Sequence, residues 1–125
     1  MEKPDPLTEA VIGAAMEVHR EMGPGLLESV YQKCLVYELR FRNLDGQSQA
    51  RLPIVYKGKI IGEDDLVMDI YFPGRLVVEL KAVEKLVPIH EAQLLTYLRL
   101  SKTHPGLLIN FNVRLLKDDL KRMVL

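Results

Sequence analysis

Asp69, Glu79 and Lys81 are the residues whose types and spacing could do chemistry together. In Leu76-Val77-Val78-Glu79-Leu80-Lys81, three apolar residues alternate with Val77, Glu79 and Lys81, so one face of a strand is apolar and the other carries a carboxylate and an amine. The run before it alternates too: Leu66, Met68, Ile70 and Phe72 form one set, and Asp65, Val67, Asp69 and Tyr71 the other. Phe72-Pro73-Gly74-Arg75 reads as the turn between them. Both apolar sets bury together only if facing partners keep the same parity, so the reading requires an odd-length loop or a bulge near Gly74. In that register Asp69, Glu79 and Lys81 share a face, with Asp69 and Glu79 near a diagonal position at roughly 7–8 Å between backbones. Two carboxylates that close can converge on one divalent cation, with the lysine beside it. The plain alternative is a solvated strand edge.

Other polar residues stand on helical stripes. Glu28 lies beside an apolar stripe, at the Tyr31–Leu35 edge; such a carboxylate needs a partner or a metal, unless the helix N-terminus stabilises it. His90, Gln93 and Tyr97 are spaced i, i+3 and i+7, so a Gln and a Tyr one turn apart could hydrogen-bond a water, a phosphate or Lys81, or form an ordinary polar edge. His19 is either a buried, hydrogen-bonded histidine or a substrate contact. Cys34 falls in an apolar stripe and reads as core.

These residues need a scaffold. Residues 7–22 read as a helix capped by Asp5, with Pro6 at its first position, a stripe of Val11, Ala14, Ala15, Val18 and Met22, and Gly23-Pro24-Gly25 as its stop. Residues 26–42 form a second helix, with Leu27, Val30, Tyr31, Cys34, Leu35 and Leu39 at helical spacing. A loop at 43–47 leads to a strand at 51–56, where Pro53 implies an edge or a bulge. Lys57-Gly58-Lys59 is a turn, and Glu63-Asp64-Asp65 reads as a solvated acidic turn before the central hairpin. After a connector at 82–87, Pro88 opens a helix to about Lys102, with Ala92, Leu95 and Leu98 on its apolar side. Leu107 to Phe111 is a strand of the fully buried kind, and 113–125 is a short strand or helix covering an edge. The order is α-α-β-β-β-α-β, an α/β (α+β) arrangement in which the last helix can cross over between two strands.

The chain has 125 residues, the size of one domain, with 48% hydrophobic and 27% charged residues, which disfavours disorder and fibrous folds. No apolar run approaches the ~20 residues of a membrane span. The first six residues lack the regions of a signal peptide, and the single Cys34 fits a reducing compartment, so a cytoplasmic protein without a membrane partner is expected. Lys plus Arg and Asp plus Glu each number 17, for zero net charge, which argues against strong non-specific nucleic-acid binding but leaves room for a local basic groove.

Gly25-Leu26-Leu27-Glu28-Ser29-Val30-Tyr31 reads G-x-x-E-x-x-Y. With Glu17-Val18-His19-Arg20, Val78-Glu79-Leu80-Lys81-Ala82-Val83-Glu84, the run from Ile89 to Tyr97 and Leu108-Ile109-Asn110-Phe111, it closely resembles the GxxExxY protein family, which is assigned to the PD-(D/E)xK nuclease superfamily. The resemblance covers residues 7 to 125. It implies a single restriction-endonuclease-like domain over 1–125, a mixed sheet flanked by helices, and a nuclease dependent on Mg²⁺ or Mn²⁺ whose partner is nucleic acid, DNA first. Asp69 matches the first strand acid, Glu79 and Lys81 the E-x-K, Glu28 the helix-borne acid, and Gln93 and Tyr97 the Q-x-x-x-Y helix. Asp69 and Glu79, with the Leu80 carbonyl and Glu28, would hold the metal. His19, Tyr31 and His90 fall to substrate or supporting roles. Asp65 stands near enough in sequence to compete with Asp69. Small nuclease domains often act as homodimers or in larger assemblies, but no stretch marks an interface. The alternative is a non-catalytic module of the same fold that binds nucleic acid or a protein.

Overall fold

The computed structural model describes residues 5–125, so the reading of the first residues as lacking a leader falls largely outside the described residues. Helix α1 spans Pro6–Met22. The Asp5 carboxylate accepts from the Thr8 amide at 3.2 Å and from the Thr8 hydroxyl at 2.7 Å, which satisfies an otherwise orphaned first-turn donor. The hydroxyl bond holds the Asp5 carboxyl below its ordinary range. Val11, Ala14, Ala15 and Val18 are buried as the stripe requires, whereas Met22, in the last turn, is exposed. Helix α2 spans Glu28–Phe41. It starts later than the sequence suggests, because Leu27 is the exposed N-terminal flank and not part of the buried stripe.

Strands β1 (Gln47–Tyr56) and β2 (Lys59–Phe72) form a long antiparallel hairpin. Its two-residue turn puts Lys57 at φ 49° and Gly58 at φ 80°, the paired positive dihedrals that match strand twist. β1 is an edge strand whose register shifts on either side of Ile54, next to Pro53, as a strand proline requires. Glu63, Asp64 and Asp65 are exposed and lie within β2 and not in a turn, in the register shift between the Leu52–Leu66 and Ile54–Gly62 pairs. β1 likewise begins at Gln47, inside the stretch expected to be loop.

β3 (Leu76–Lys81) pairs with β2 through Ile70–Val78, Tyr71–Val77 and Phe72–Leu76. The three-residue loop Pro73-Gly74-Arg75, with Gly74 at φ 72°, is the odd-length connection that the parity argument demands. Helix α3 (Pro88–Ser101) then crosses to β4 (Gly106–Asn110), which runs parallel to β3. Beyond a 3₁₀ turn at Leu116–Asp119, β5 (Leu120–Met123) covers the far edge of β4. The sheet order is β1-β2-β3-β4-β5.

The sheet separates two apolar layers. Ile70, Phe72, Leu76, Val78, Leu80, Leu107, Ile109 and Phe111 pack with α1 and α2. Val77 and Leu108 pack with Leu94, Tyr97 and Leu98 of α3; Leu94 is the core residue there, while Ala92 is exposed. Met68 and Leu66 also join the α3 side, not the set of Ile70 and Phe72 as their parity implies. The cause lies on the neighbouring strand. Gln49 has φ 53°, and the β1–β2 ladder skips the Gln49–Asp69 position, so the pleat breaks there and inside and outside exchange along β2. Asp69 sits at the break.

Candidate functional site

The β2–β3 ladder stops at Ile70–Val78, one step short of placing Asp69 opposite Glu79. The same register sets these two acids directly across from each other, not on the diagonal expected from sequence. Side chains replace main chain at that step. The Asp69 amide donates to Glu79 Oε1 at 3.0 Å, and the Leu80 amide donates to Asp69 Oδ2 at 2.8 Å. The sheet therefore forks, and each acid closes the fork by taking a backbone donor from the other strand. Because an N–H and C=O of one strand residue point to the same neighbour, the Leu80 carbonyl also faces the fork. The Lys81 carbonyl points the other way and accepts from the Phe111 amide at 2.9 Å.

Burial sets the electrostatics. Glu79 is 4% exposed. Desolvation, with the Asp69 charge adding to it, pushes the Glu79 carboxyl up to about 9, against the pull of the Asp69 amide and Lys81. Asp69 is raised by burial, while the Leu80 amide and Lys81 oppose it. Glu28, in the first turn of α2, is raised by burial and then by Asp69, with Lys81 pulling back. Three acids thus crowd around one lysine, and in the cation-free protein Glu79 is the carboxyl that keeps its proton at neutral pH.

Lys81 is held from α3. Its Nζ donates to Gln93 Oε1 at 2.9 Å, and Gln93 Nε2 donates to Tyr97 Oη at 3.2 Å. Burial, followed by the Glu79 charge, raises the Tyr97 phenol. The connector between β3 and α3 is fixed by Asn110, which is fully buried: its Oδ1 accepts from the Val83 amide at 3.0 Å, and its Nδ2 donates to the Val83 carbonyl at 2.9 Å and to Asp119 Oδ2 at 2.8 Å.

The structure brings together two bonded groups, Asp69 with Glu79 and Lys81 with Gln93 and Tyr97, which lie in electrostatic reach of each other and of Glu28. Asp65 is exposed on the β1–β2 hairpin, away from the fork. His19, Tyr31 and His90 each bond elsewhere, the histidines through one ring nitrogen. His19 Nε2 bonds the Val113 carbonyl at 2.7 Å. Tyr31 Oη donates to the Gly23 carbonyl at 2.5 Å and accepts from the Leu26 amide at 3.1 Å, and its ring stacks on Phe111. His90 Nδ1 accepts from the Val87 amide at 3.0 Å, at the start of α3.

Sequence reasoning missed Gln32, Ser48 and Gln49. Gln32 Nε2 donates to the Asp69 carbonyl at 3.2 Å and to Ser48 Oγ at 3.0 Å, and Gln49 Nε2 donates to Gln32 Oε1 at 2.7 Å. This polar group holds Asp69 from the α2 side. The available signal was Gln32, one turn after Glu28 on the same helix face.

Asp69, Glu79 and the Leu80 carbonyl offer only oxygen, which suits a hard cation. The crowding of acids over one lysine leaves negative charge that a divalent cation would neutralise. Among the described residues no three His, Cys, Asp or Glu side chains gather into a complete metal cage. Two carboxylates and one carbonyl would leave positions on a divalent cation open to waters or substrate oxygens. No helix among the described residues is long and apolar enough to cross a membrane.

A family model described as the PD-(D/E)XK nuclease superfamily matches residues 5–123. No curated protein and no solved structure matches the chain. The match runs across both helical layers and the forked sheet, so the two acids at the fork and Lys81 stand inside the matched span: the chain belongs to the PD-(D/E)XK nuclease superfamily.

Proposed function

We propose that this chain is a Mg²⁺- or Mn²⁺-dependent nuclease that hydrolyses phosphodiester bonds in DNA. The observation that carries the reading is the fork itself: a buried acid, Glu79, facing a half-buried one, Asp69, with an amine beside them that a neighbouring helix holds in place. Asp69, Glu79 and the Leu80 carbonyl, with Glu28 at the margin, would hold the cation. When bound, it activates water and neutralises charge developing on the phosphate. To hold the cation, Glu79 would release its proton to solvent. Lys81 orients the attacking water or stabilises the charged transition state, and Gln93 limits the positions its Nζ can take. Tyr97 holds Gln93. The narrower kinship with GxxExxY proteins rests on the Gly25–Tyr31 spacing and the motifs that follow it.

The test is Lys81→Ala, assayed on DNA with Mg²⁺ or Mn²⁺. Loss of cleavage by ~10²-fold or more is expected, with an unchanged circular dichroism spectrum. Undiminished cleavage would sink the mechanism. The zero net charge favours a second reading, a non-catalytic module of this fold. Calorimetry with Mn²⁺ separates the two: the nuclease binds the cation and Asp69→Asn does not, whereas the module shows no binding in either form.

A further inference from the structure

A cleft of about 510 Å³ runs between α2 and β1, and no part of the proposed chemistry uses it. Gln32, Ser48 and Gln49 form its floor, and Lys33, Tyr37 and Arg40 stand along its α2 wall. The floor reaches the fork directly, since Gln32 bonds the Asp69 carbonyl and Gln49 bonds Gln32. The wall reaches it too, because Glu28 at the head of α2 feels the charges of Asp69 and Lys81. From Glu28 to Arg40 the helix rises ~18 Å, the length of a few nucleotides of extended strand.

The charge on the two sides of α2 differs. The groove on its other side, toward α1, carries Glu17, Glu21 and Glu38 and shares Lys33 and Tyr37, which stand on the ridge between the two, with the cleft. The β1 side presents Lys33 and Arg40 and no acid, and neither cation enters an ion pair among the described residues. Tyr37 lies between them on the helix and is 74% exposed. Cations along a backbone track, an aromatic ring free to stack and polar groups beneath are the parts of a single-strand site. A cleft of this volume also matches a nucleotide-sized ligand and not a duplex.

We propose that the α2–β1 cleft holds an unpaired nucleic-acid strand and feeds it to the fork, with Lys33 and Arg40 on phosphates and Tyr37 stacked on a base. This deepens the nuclease reading and rests on it for the direction of feeding, and the experiment keeps the two apart. Fluorescence anisotropy would follow a labelled single-stranded oligonucleotide without divalent cations, for the wild-type chain, the Lys33→Gln/Arg40→Gln double variant, Tyr37→Ala, and Lys59→Gln/Lys117→Gln as a charge-matched control. The double variant should bind at least about tenfold more weakly, and the slope of log affinity against log salt should fall by about 1.4, roughly 0.7 for each phosphate that is no longer neutralised. Tyr37→Ala should also weaken binding about tenfold, and the control should bind as the wild type does. Equal binding by the double variant, or tighter binding of the matching duplex, overturns the proposal. Turnover of bis(p-nitrophenyl) phosphate by the wild-type chain with Mn²⁺ reads the fork alone. Turnover with no effect of the cleft variants on oligonucleotide binding removes the cleft and leaves the nuclease. Cleft-dependent binding without turnover upholds the cleft and removes the nuclease.

Discussion

Glu79→Gln should make the protein more stable at neutral pH. The Glu79 carboxyl has an ordinary value of 4.5 and is pushed up to about 9 by burial and by Asp69. Between those values the folded chain holds a proton that the unfolded chain has released. The unfolded state then binds fewer protons, so stability falls as pH rises, by up to ~1.36 kcal/mol per pH unit, and the full contribution is present only below pH 4.5. At pH 7 the accumulated cost reaches ~3 kcal/mol as an upper bound. Glutamine carries no such cost. Its carbonyl oxygen can still accept from the Asp69 amide, and its NH₂ can donate to the Asp69 carboxylate. Urea unfolding at pH 5, 6, 7 and 8, without divalent cations, is the assay. The variant and the wild type should coincide near pH 5 and separate as pH rises, until the variant's midpoint is higher by about 1 M at pH 7. The same variant should lose cleavage, so stability and activity move in opposite directions. Parallel pH profiles, or a variant less stable than the wild type at pH 8, would refute the claim that burial is what charges Glu79 so reluctantly.

Cation affinity should follow the same proton. If Mg²⁺ displaces one proton from Glu79, its apparent affinity rises about tenfold per pH unit from pH 6 to pH 8 and levels off near pH 9, which calorimetry in buffers of different ionisation enthalpy would read as about one proton released; a flat profile counts against displacement. Tyr31→Phe removes the donor to the Gly23 carbonyl and the acceptor for the Leu26 amide, and should cost about 1–2 kcal/mol in urea unfolding while cleavage persists; lost cleavage at unchanged stability would instead put the phenol on the substrate.

The strand acids were legible because their residue types are informative: an Asp on one alternating run and Glu-x-Lys on the next have few uses together. The parity of Leu76, Val78 and Leu80 against Ile70 and Phe72 even required the odd-length loop at Gly74. Parity failed at Met68 because the break comes from a dihedral on the neighbouring strand, at Gln49, and a glutamine carries no sequence signal for a positive φ. Gln49 was invisible for the same reason, and Gln32 had only its place one turn after Glu28 to mark it: a glutamine on a helix or an edge strand is ordinary until its partner is known. β1 began early because pairing of Gln47 and Ser48 with Tyr71 and Ile70 outweighs their low strand propensity, and β2 ran long because Glu63-Asp64-Asp65 form an irregularity between the Leu66 and Gly62 pairs instead of ending the strand. The three helices read well, since caps, prolines and apolar spacing are local. Leu94 was missed on α3, where apolar residues are spread around the helix.

The fork has a spectroscopic side. In most sheets a backbone amide is shielded by another backbone, and its hydrogen exchanges only when strands part. Here the amides of Asp69 and Leu80 are shielded by the two carboxylates that would take a cation. Their exchange rates therefore report the state of those carboxylates and not merely the integrity of the sheet. The amides at the Ile70–Val78 rung beside them are held by ordinary pairing and serve as an internal reference. Two peptide groups thus act as a built-in gauge of what the acids are doing, readable without substrate, turnover or label.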